Sequence, residues 1–391
     1  MGKSGKVVGL SQEEPMPVPK CPICSEKMVR NGKTAAGTQR WKCTACRATS
    51  VNKIDNEAKR LDEFLCWLLS KRRMADMPGG GRTFRRRTRD LWALWPLPPL
   101  VDEIHRVVYV DGIHLGRKAV VLIACSDEHV LGWYLAREEK SRSWEALLSR
   151  IAPPDMVVTD GGSGFERARR RVWPGTEVQR CTFHAFCQVK RYTTARPNLP
   201  AGAELYAIAK RLLKVGDAEA AAAWLAEYLG WCERWDGFLA ETTARDGREA
   251  LAHERLVKAR SSLNRLVSSN RLFTYLDEWL TLDGPMPATN NRIEGGVNAP
   301  LRQMLREHRG MSLLRRIKAV FWWCYMHCEY RVGAAETLRI MPTDDDIAAI
   351  YGELDPQDEL AGVIPKWGDA VMWSELHMID YSHQAFRHDW D

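Results

Sequence analysis

The sequence predicts an α/β protein in which a block of strands is held between helical stretches. Three observations carry this. Short apolar runs alternate with turn residues from about Arg106 to Cys181, apolar residues recur at helical spacing on either side of that block, and two Cys-x-x-Cys pairs mark a small unit near the start. Strand-like runs of four to eight residues and an i, i+3, i+4 recurrence are the two periods that separate sheet from helix. At 391 residues the chain is long enough for two or three domains with a sizeable core.

The first element is the cysteine unit, expected over residues 1–50. Cys21-Pro-Ile-Cys24 and Cys43-Thr-Ala-Cys46 are separated by 18 residues, inside the window for tetrahedral Zn²⁺. The stretch between them carries Lys27, Arg30, Lys33, Arg40 and Lys42 around Asn31-Gly32, which reads as a hairpin with a basic face. A segment this small has little core without metal, so a zinc ribbon with one structural Zn²⁺ is expected. It would either touch DNA or serve only as a metal-stapled module that packs or pairs with another subunit.

Residues 51–96 read as a helix-turn-helix DNA-binding domain. Leu61, Phe64, Leu65, Leu68 and Leu69 bury one face of a first helix. The turn Met77-Pro-Gly-Gly-Gly81 leads into Arg82-Thr-Phe-Arg85-Arg86-Arg87-Thr-Arg89-Asp-Leu-Trp92. Arg85, Arg86 and Arg89 would face phosphate, with Leu91 and Trp92 on the apolar side. Trp95-Pro-Leu-Pro-Pro-Leu100 ends the helix and marks a boundary.

An α/β core is expected to have its first part at 101–198. Val107–Val110, Ala119–Ala124 and Val130–Leu135 read as three antiparallel strands, Ser143–Ile151 as a helix, Asp155–Asp160 as a fourth strand, Ser163–Arg171 as a short basic helix and Thr176–Cys181 as a fifth strand. Asp111 and Asp160 are each followed by Gly and are read as strand ends, with His114 in the connecting loop. Residues 199–284 lose the strand period and read as an all-α insertion containing Trp224, Trp231 and Trp235. Residues 285–334 bring the final helix, opened by Thr289-Asn-Asn-Arg-Ile-Glu294-Gly-Gly-Val-Asn298.

Asp111, Asp160 and Glu294 together read as a metal site. Hard cations favour a few carboxylates completed by phosphate oxygens, and two such ions about 3.5–4 Å apart can serve in-line displacement at a phosphodiester. Each acid also has a plainer reading. Asp-Gly after a strand is commonly a turn. With Asn291 as N-cap, Glu294 would be an N3 residue contributing about 0.5–2 kcal/mol of helix stability.

Charge is distributed unevenly. The formal net of +7 conceals residues 335–391, where 13 acids face Arg339, Lys366 and Arg387 for a net of −10, leaving +17 on the rest. A basic body with an acidic C-terminal region suits a nucleic-acid partner. No run of 18 apolar residues occurs and the N-terminus has no hydrophobic signal region, so neither a membrane span nor secretion is expected. Eleven cysteines, some in metal-like pairs, suit a reducing, cytoplasmic setting.

Taken in order, Asp111, Asp160 and Glu294, with Cys181-Thr-Phe-His184 after the second acid and Asn291 and Asn298 around the third, resemble the catalytic signature of the DDE transposases of bacterial insertion sequences, in their Mutator-like group. The spacings of 49 and 134 residues between successive acids fit an insertion before the last one. The resemblance implies an RNase H-like core, Mg²⁺ or Mn²⁺ held by the three acids, and double-stranded DNA as partner, both as transposon ends and as target. It implies nucleoid association and a homodimer or larger assembly. It places the C-x-x-H element on the strand after the second acid and His184 near the acids, where it would bond a phosphate or flipped nucleotide. An insertion aromatic would stack on a displaced base. Arg292, Arg302 and Arg306 would steady phosphates. Cys181 and His184 alone supply only two metal ligands, too few for zinc. The rival readings are another RNase H-like nuclease and a transposase-derived DNA-binding protein without catalysis.

Overall fold

The computed structural model describes residues 18–353 apart from 22, 52–55, 118 and 246. The expected acidic region 335–391 therefore lies outside the described residues from 354 onward, as do the first 17 residues of the cysteine unit. The chain forms two compact units, Met1–Ala58 and Lys59–Asp391. Among the described residues no helix is long and apolar enough to cross a membrane.

The first unit is an antiparallel sheet of β1 (Met28–Lys33), β2 (Gln39–Cys43) and β3 (Thr49–Val51), in that order. Its apolar core consists of Cys21, Met28, Trp41 and Cys43, with Ala48 against them. So small a core cannot offset the ordering entropy of the segment unaided, which points to the cysteines as its staple.

In the second unit, α1 (Glu57–Leu68) buries Leu61, Phe64, Leu65, Trp67 and Leu68. The glycine turn uses positive φ at Gly79 and Gly80, conformations that only glycine adopts freely, and starts α2 (Gly80–Arg87). Trp67 meets Phe84 edge-on at 5.8 Å, and Phe64 meets Trp92 at 5.0 Å and Trp322 at 6.5 Å. The two helices thus share one core with the sheet that follows.

That sheet contains β4 (Val107–His114), β5 (Val120–Cys125) and β6 (Val130–Ala136). After α3 (Ser141–Leu148) come β7 (Met156–Thr159), α4 (Ser163–Val172), β8 (Glu177–Arg180) and α5 (Thr182–Thr193). The spatial order is β6-β5-β4-β7-β8, with β5 antiparallel to both β4 and β6, and β7 and β8 parallel to β4. β5 and β6 are buried along their whole length, so both faces of the sheet are covered. Gly132 faces Leu147 and Ile151, whereas its neighbour Trp133 meets Phe321 from later in the chain. Alternation along the strand puts these on opposite faces.

The first strand corrects the expectation that it ends at Asp111. β4 continues to His114, pairing Asp111 with Ile123 and Gly112 with Leu122. Its pairing with β7 stops at Tyr109↔Val158, so Asp111 sits inside a hairpin arm that outruns its parallel neighbour. His114 accordingly ends a strand and is not a loop residue.

The insertion comprises α6 (Pro200–Arg211), α7 (Ala218–Arg234), α8 (Asp236–Leu239), β9 (Thr242–Arg245), β10 (Arg248–Leu251), α9 (Glu254–Ser268) and α10 (Glu278–Thr281); α6 to α9 pack with α5 around a core of their own, whereas Leu280 of α10 joins the main core. It is not all-α. β9 and β10 form an antiparallel hairpin closed by the pair Arg248↔Arg245, and the sequence between them is Asp246-Gly247, a two-residue combination that favours tight hairpins. Helix α9 stops at Ser268, and Asn270 turns with positive φ.

The chain closes with α11 (Asn291–Ile293), a π-helical turn Glu294–Asn298, α12 (Ala299–Glu307), α13 (Leu313–Met326), α14 (Ala334–Ile340) and α15 (Asp344–Glu353). Helix α13 runs beneath the sheet. Its Lys318 is fully buried and its ammonium donates to the Trp92 carbonyl at 2.6 Å, the Ala93 carbonyl at 3.2 Å and Asp344 at 2.6 Å.

Candidate active site

Asp111, Asp160 and Glu294 reach one region from three elements. The Asp111 carboxylate accepts the Gly112 amide N–H at 2.8 Å on Oδ1 and the Asn298 side-chain amide at 2.6 Å on Oδ2. Burial, chiefly, pushes its pKa up to about 6; the Gly112 N–H opposes this, and the negative charges of Asp160, Glu139 and Glu294 add to it. These acids are therefore near enough to repel one another. Asp160 is the first residue past β7 and is exposed.

Glu294 lies on the π-helical turn that joins α11 to α12. Such turns are rare and concentrate at functional sites. The expected N-cap at Asn291 does not form: Asn290 is the cap position, and its side-chain amide donates to the Val110 carbonyl at 3.2 Å instead of capping the helix. Glu294 is thus released from a capping-box role. One carboxylate oxygen, Oε1, lies 3.4 Å from Nδ1 of His184.

The C-x-x-H element sits at a strand-to-helix junction and not on the strand. Cys181 caps α5 and His184 occupies its first turn. The buried Cys181 sulfur accepts the Asn290 amide N–H at 3.2 Å. Burial raises its thiol, but the His184 ring and the Asn290 and His184 N–H groups outweigh this and hold it below the ordinary value. The Cys181 contact in turn raises His184, against burial and helped by the charges of Cys181, Glu294 and Asp160.

Sequence reasoning missed Glu139 and Arg180. Glu139 precedes α3; its Oε1 lies 3.0 Å from Nε2 of His114, and burial raises its pKa. Two glycines make room for it. A Cβ on Gly112 would come within 2.6 Å of the Glu139 carboxylate, and one on Gly164 would collide with its backbone carbonyl. Gly112 after the first acid therefore marks close approach, not a turn. Arg180 ends β8 with its guanidinium against Gly161, largely buried and within the field of Asp160. No sequence period distinguishes either residue from a loop acid or a strand-end base.

The other candidates are more dispersed. Arg292 is tied to the β5–β6 turn, donating to the carbonyls of Asp127 at 2.5 Å and Glu128 at 3.0 Å. Arg302 and Arg306 are exposed on α12, Arg306 bonding Gln303. Arg85, Arg86 and Arg89 are exposed, and Arg315 lies in the field of Arg85 and Arg89 with its guanidinium 5.4 Å from the Trp92 ring centre. Trp224 and Trp231 are buried, bonding the carbonyls of Ile208 and Ala201, and half-buried Trp235 bonds Glu204, so all three serve the packing of the insertion.

In the first unit the four cysteine sulfurs lie within 4.8 Å of one another. Cys21 is 3.5 Å from Cys46, and Cys24 is 3.4 Å from Cys43. The N–H groups of Ile23 and Cys46 point at Cys21 and Cys43. The Cys46 N–H, first, pulls the Cys43 thiol down to about 6. This cluster could hold zinc: four sulfurs converge without forming disulfides.

Residues 101–272 match the model of the Mutator family of transposases. A stretch of 100 residues is 29% identical to the transposase for insertion sequence element IS905 of Lactococcus lactis subsp. lactis (strain IL1403), covering 22% of this chain and 26% of that protein. The chain thus aligns with about a quarter of that relative. The matched segment contains Asp111 and Asp160 and ends before Glu294.

Proposed function

We propose that this chain, whose segment 101–272 belongs to the Mutator family of transposases, is a DNA transposase that binds insertion-sequence ends and catalyses metal-dependent strand cleavage and strand transfer. The observation that carries the reading is the convergence of Asp111, Asp160 and Glu294: burial raises Asp111, and the charges of Asp160 and Glu294 add to it. Carboxylates gathered on sheet and helix suit hard cations. The strand order β6-β5-β4-β7-β8, with an acid on the central strand and another just past its parallel neighbour, supports an RNase H-like core.

Mg²⁺ or Mn²⁺ bound there would supply activation of the attacking oxygen and charge neutralisation at the leaving 3′-oxygen. The protein's own share is positioning. Asn298 and the Gly112 N–H fix the Asp111 carboxylate, the π-helical turn aims Glu294, and Arg180 offsets charge behind Asp160. His184 and exposed Arg302 would contact DNA near the acids. Arg292 holds the β5–β6 turn that supports them. The Cys21, Cys24, Cys43 and Cys46 unit is read as a zinc ribbon, and α1 with α2 as the end-binding element, through Arg85, Arg86 and Arg89. Synapsis of two ends calls for a homodimer or larger assembly working on DNA in the bacterial cytoplasm.

The test is substitution of each acid. Asp111→Asn, Asp160→Asn and Glu294→Gln should each abolish strand cleavage on the element's own ends while circular dichroism and end binding stay as in the wild type. Cleavage by Glu294→Gln near the wild-type rate would remove Glu294 from the site and direct attention to Glu139, whose charge already reaches Asp111.

A further inference from the structure

Cys181 and His184 acquire a third potential ligand from the far end of the core. The Cys181 sulfur, a His184 ring nitrogen and a Glu294 carboxylate oxygen all lie within 4.8 Å of one another. Nδ1 of His184 and Oε1 of Glu294 are 3.4 Å apart, both sealed from solvent and neither in a well-directed hydrogen bond among the described residues. The two atoms make an ion pair only when His184 is protonated; otherwise they are buried polar atoms without a hydrogen bond, and a cation between them would give both a partner. Tetrahedral zinc with bonds of about 2.0–2.3 Å has ligand–ligand edges of about 3.3–3.8 Å, so the His184–Glu294 separation already matches one edge. The sulfur needs to close by about 1 Å at most, within reach of a rotamer adjustment.

We propose that Cys181, His184 and Glu294 form a second zinc site, separate from the four-cysteine cluster, whose occupancy withholds Glu294 from Asp111 and Asp160. Thiolate, imidazole and carboxylate with a fourth position open is a donor set for a borderline-soft ion. Mg²⁺ avoids sulfur and would take Glu294 only on the side of the other acids. Glu294 is thus shared between two metals of opposite preference. The His184 and Glu294 side chains are each about a third exposed, 32% and 30%, which gives an ion a path in. Zinc binding stands on this geometry alone; the inhibition it would cause rests on the proposed function.

The test uses the full-length protein, stripped with chelator under reducing conditions, reloaded with Zn²⁺ and desalted. Metal analysis should find two Zn²⁺ per chain in the wild type and one in Cys181→Ser, the remaining ion staying with the four-cysteine cluster. His184→Gln should give the same drop, and it decides the count if Cys181→Ser fails to fold by circular dichroism. One zinc in the wild type, or two in both variants, overturns the site. Inhibition is read separately, as cleavage in excess Mg²⁺ with increasing Zn²⁺. The wild type should lose at least 10-fold of its rate once the second zinc binds, and Cys181→Ser should require at least 10-fold more Zn²⁺ for the same fractional loss of its own rate. Full cleavage with two zincs bound overturns the inhibitory role. A wild type inactive in Mg²⁺ without zinc counts against the transposase reading, while the zinc count still decides the site.

Discussion

Asn298 donates its side-chain amide to Oδ2 of Asp111 across 187 residues of sequence, at 2.6 Å. Asn298 is fully buried, and its own carbonyl oxygen has no hydrogen-bond partner among the described residues. The amide is therefore oriented by Asp111, and Asp111 by the amide. Partners that orient metal-binding carboxylates typically contribute about 10–100-fold to affinity or activity. Asn298→Ala should lower the cleavage rate by about that factor and raise the Mg²⁺ concentration for half-maximal rate. Asn298→Asp should do worse, because it sets a carboxylate against a carboxylate. Equal rates for the wild type and Asn298→Ala at limiting Mg²⁺ would show the contact to be structural only.

The crowding of acids around Asp111 predicts a pH-dependent stability. Its folded pKa of about 6 stands above the ordinary carboxylate value. A raised acid stabilises the fold fully below its unfolded pKa, near 4, and that contribution is lost as pH rises through about 6. Asp111→Asn removes the titration. In chelator, the variant should gain on the wild type between pH 5 and pH 7.5, by up to about 3 kcal/mol at the upper end, and added Mg²⁺ should narrow the gap. Urea unfolding at three pH values measures this; a gap independent of pH would mean that burial and its acidic neighbours do not hold Asp111 above the ordinary carboxylate value.

The sheet was legible in the sequence because each strand is a short apolar run bounded by turn residues, and the core strands fall within a few residues of their expected ends. Asp111 was recognisable as special but not as a residue inside a strand, because Asp-Gly has the same local signature whether it turns the chain or makes room for a neighbour. That neighbour, Glu139, was invisible: its role depends on Gly112 and Gly164 being close to it in space. Nor could the spacing of Cys181 and His184 reveal Glu294 beside them, since a ligand more than 100 residues away leaves no local period. The β9–β10 hairpin carried a readable signal in Asp246-Gly247, outweighed by the helical patterns on either side.

Buried Lys318 makes a stability prediction independent of catalysis. Burial first, opposed by Asp344, lowers its pKa to about 8, and Asp344 also accepts the Trp95 indole N–H at 2.7 Å. Removing one partner of a buried pair costs about 3–5 kcal/mol, because the other charge is stranded. Asp344→Ala should therefore lower the midpoint of unfolding markedly. Lys318→Met with Asp344→Leu should recover much of the loss, since it leaves no buried charge. A double variant no more stable than Asp344→Ala alone would show that the carbonyl bonds of Lys318 to Trp92 and Ala93 matter more than the charge pair.

The last prediction separates arginines that build the α1–α2 region from those available to DNA. Arg87 donates to Glu63 at 3.0 Å and to the Pro78 carbonyl at 3.2 Å, and Arg60 donates to Asp90 at 2.5 Å; these hold α2 and its flank against α1. Arg85, Arg86, Arg89 and Arg315 are exposed, and Arg315 lies in the field of Arg85 and Arg89. Like charges kept together on a surface repel one another, and a phosphate backbone would relieve that repulsion. Each phosphate contact contributes about 0.9 to the slope of log affinity against log salt. Replacing Arg85, Arg86 and Arg89 by Ala should weaken end binding and flatten that slope by up to about 3, with the unfolding midpoint little changed. Arg87→Ala should do the reverse, lowering the unfolding midpoint while leaving the slope of the folded protein near the wild-type value. If the triple variant binds with unchanged slope and affinity, α2 does not face the DNA, and the exposed basic residues of the first unit become the next surface to replace.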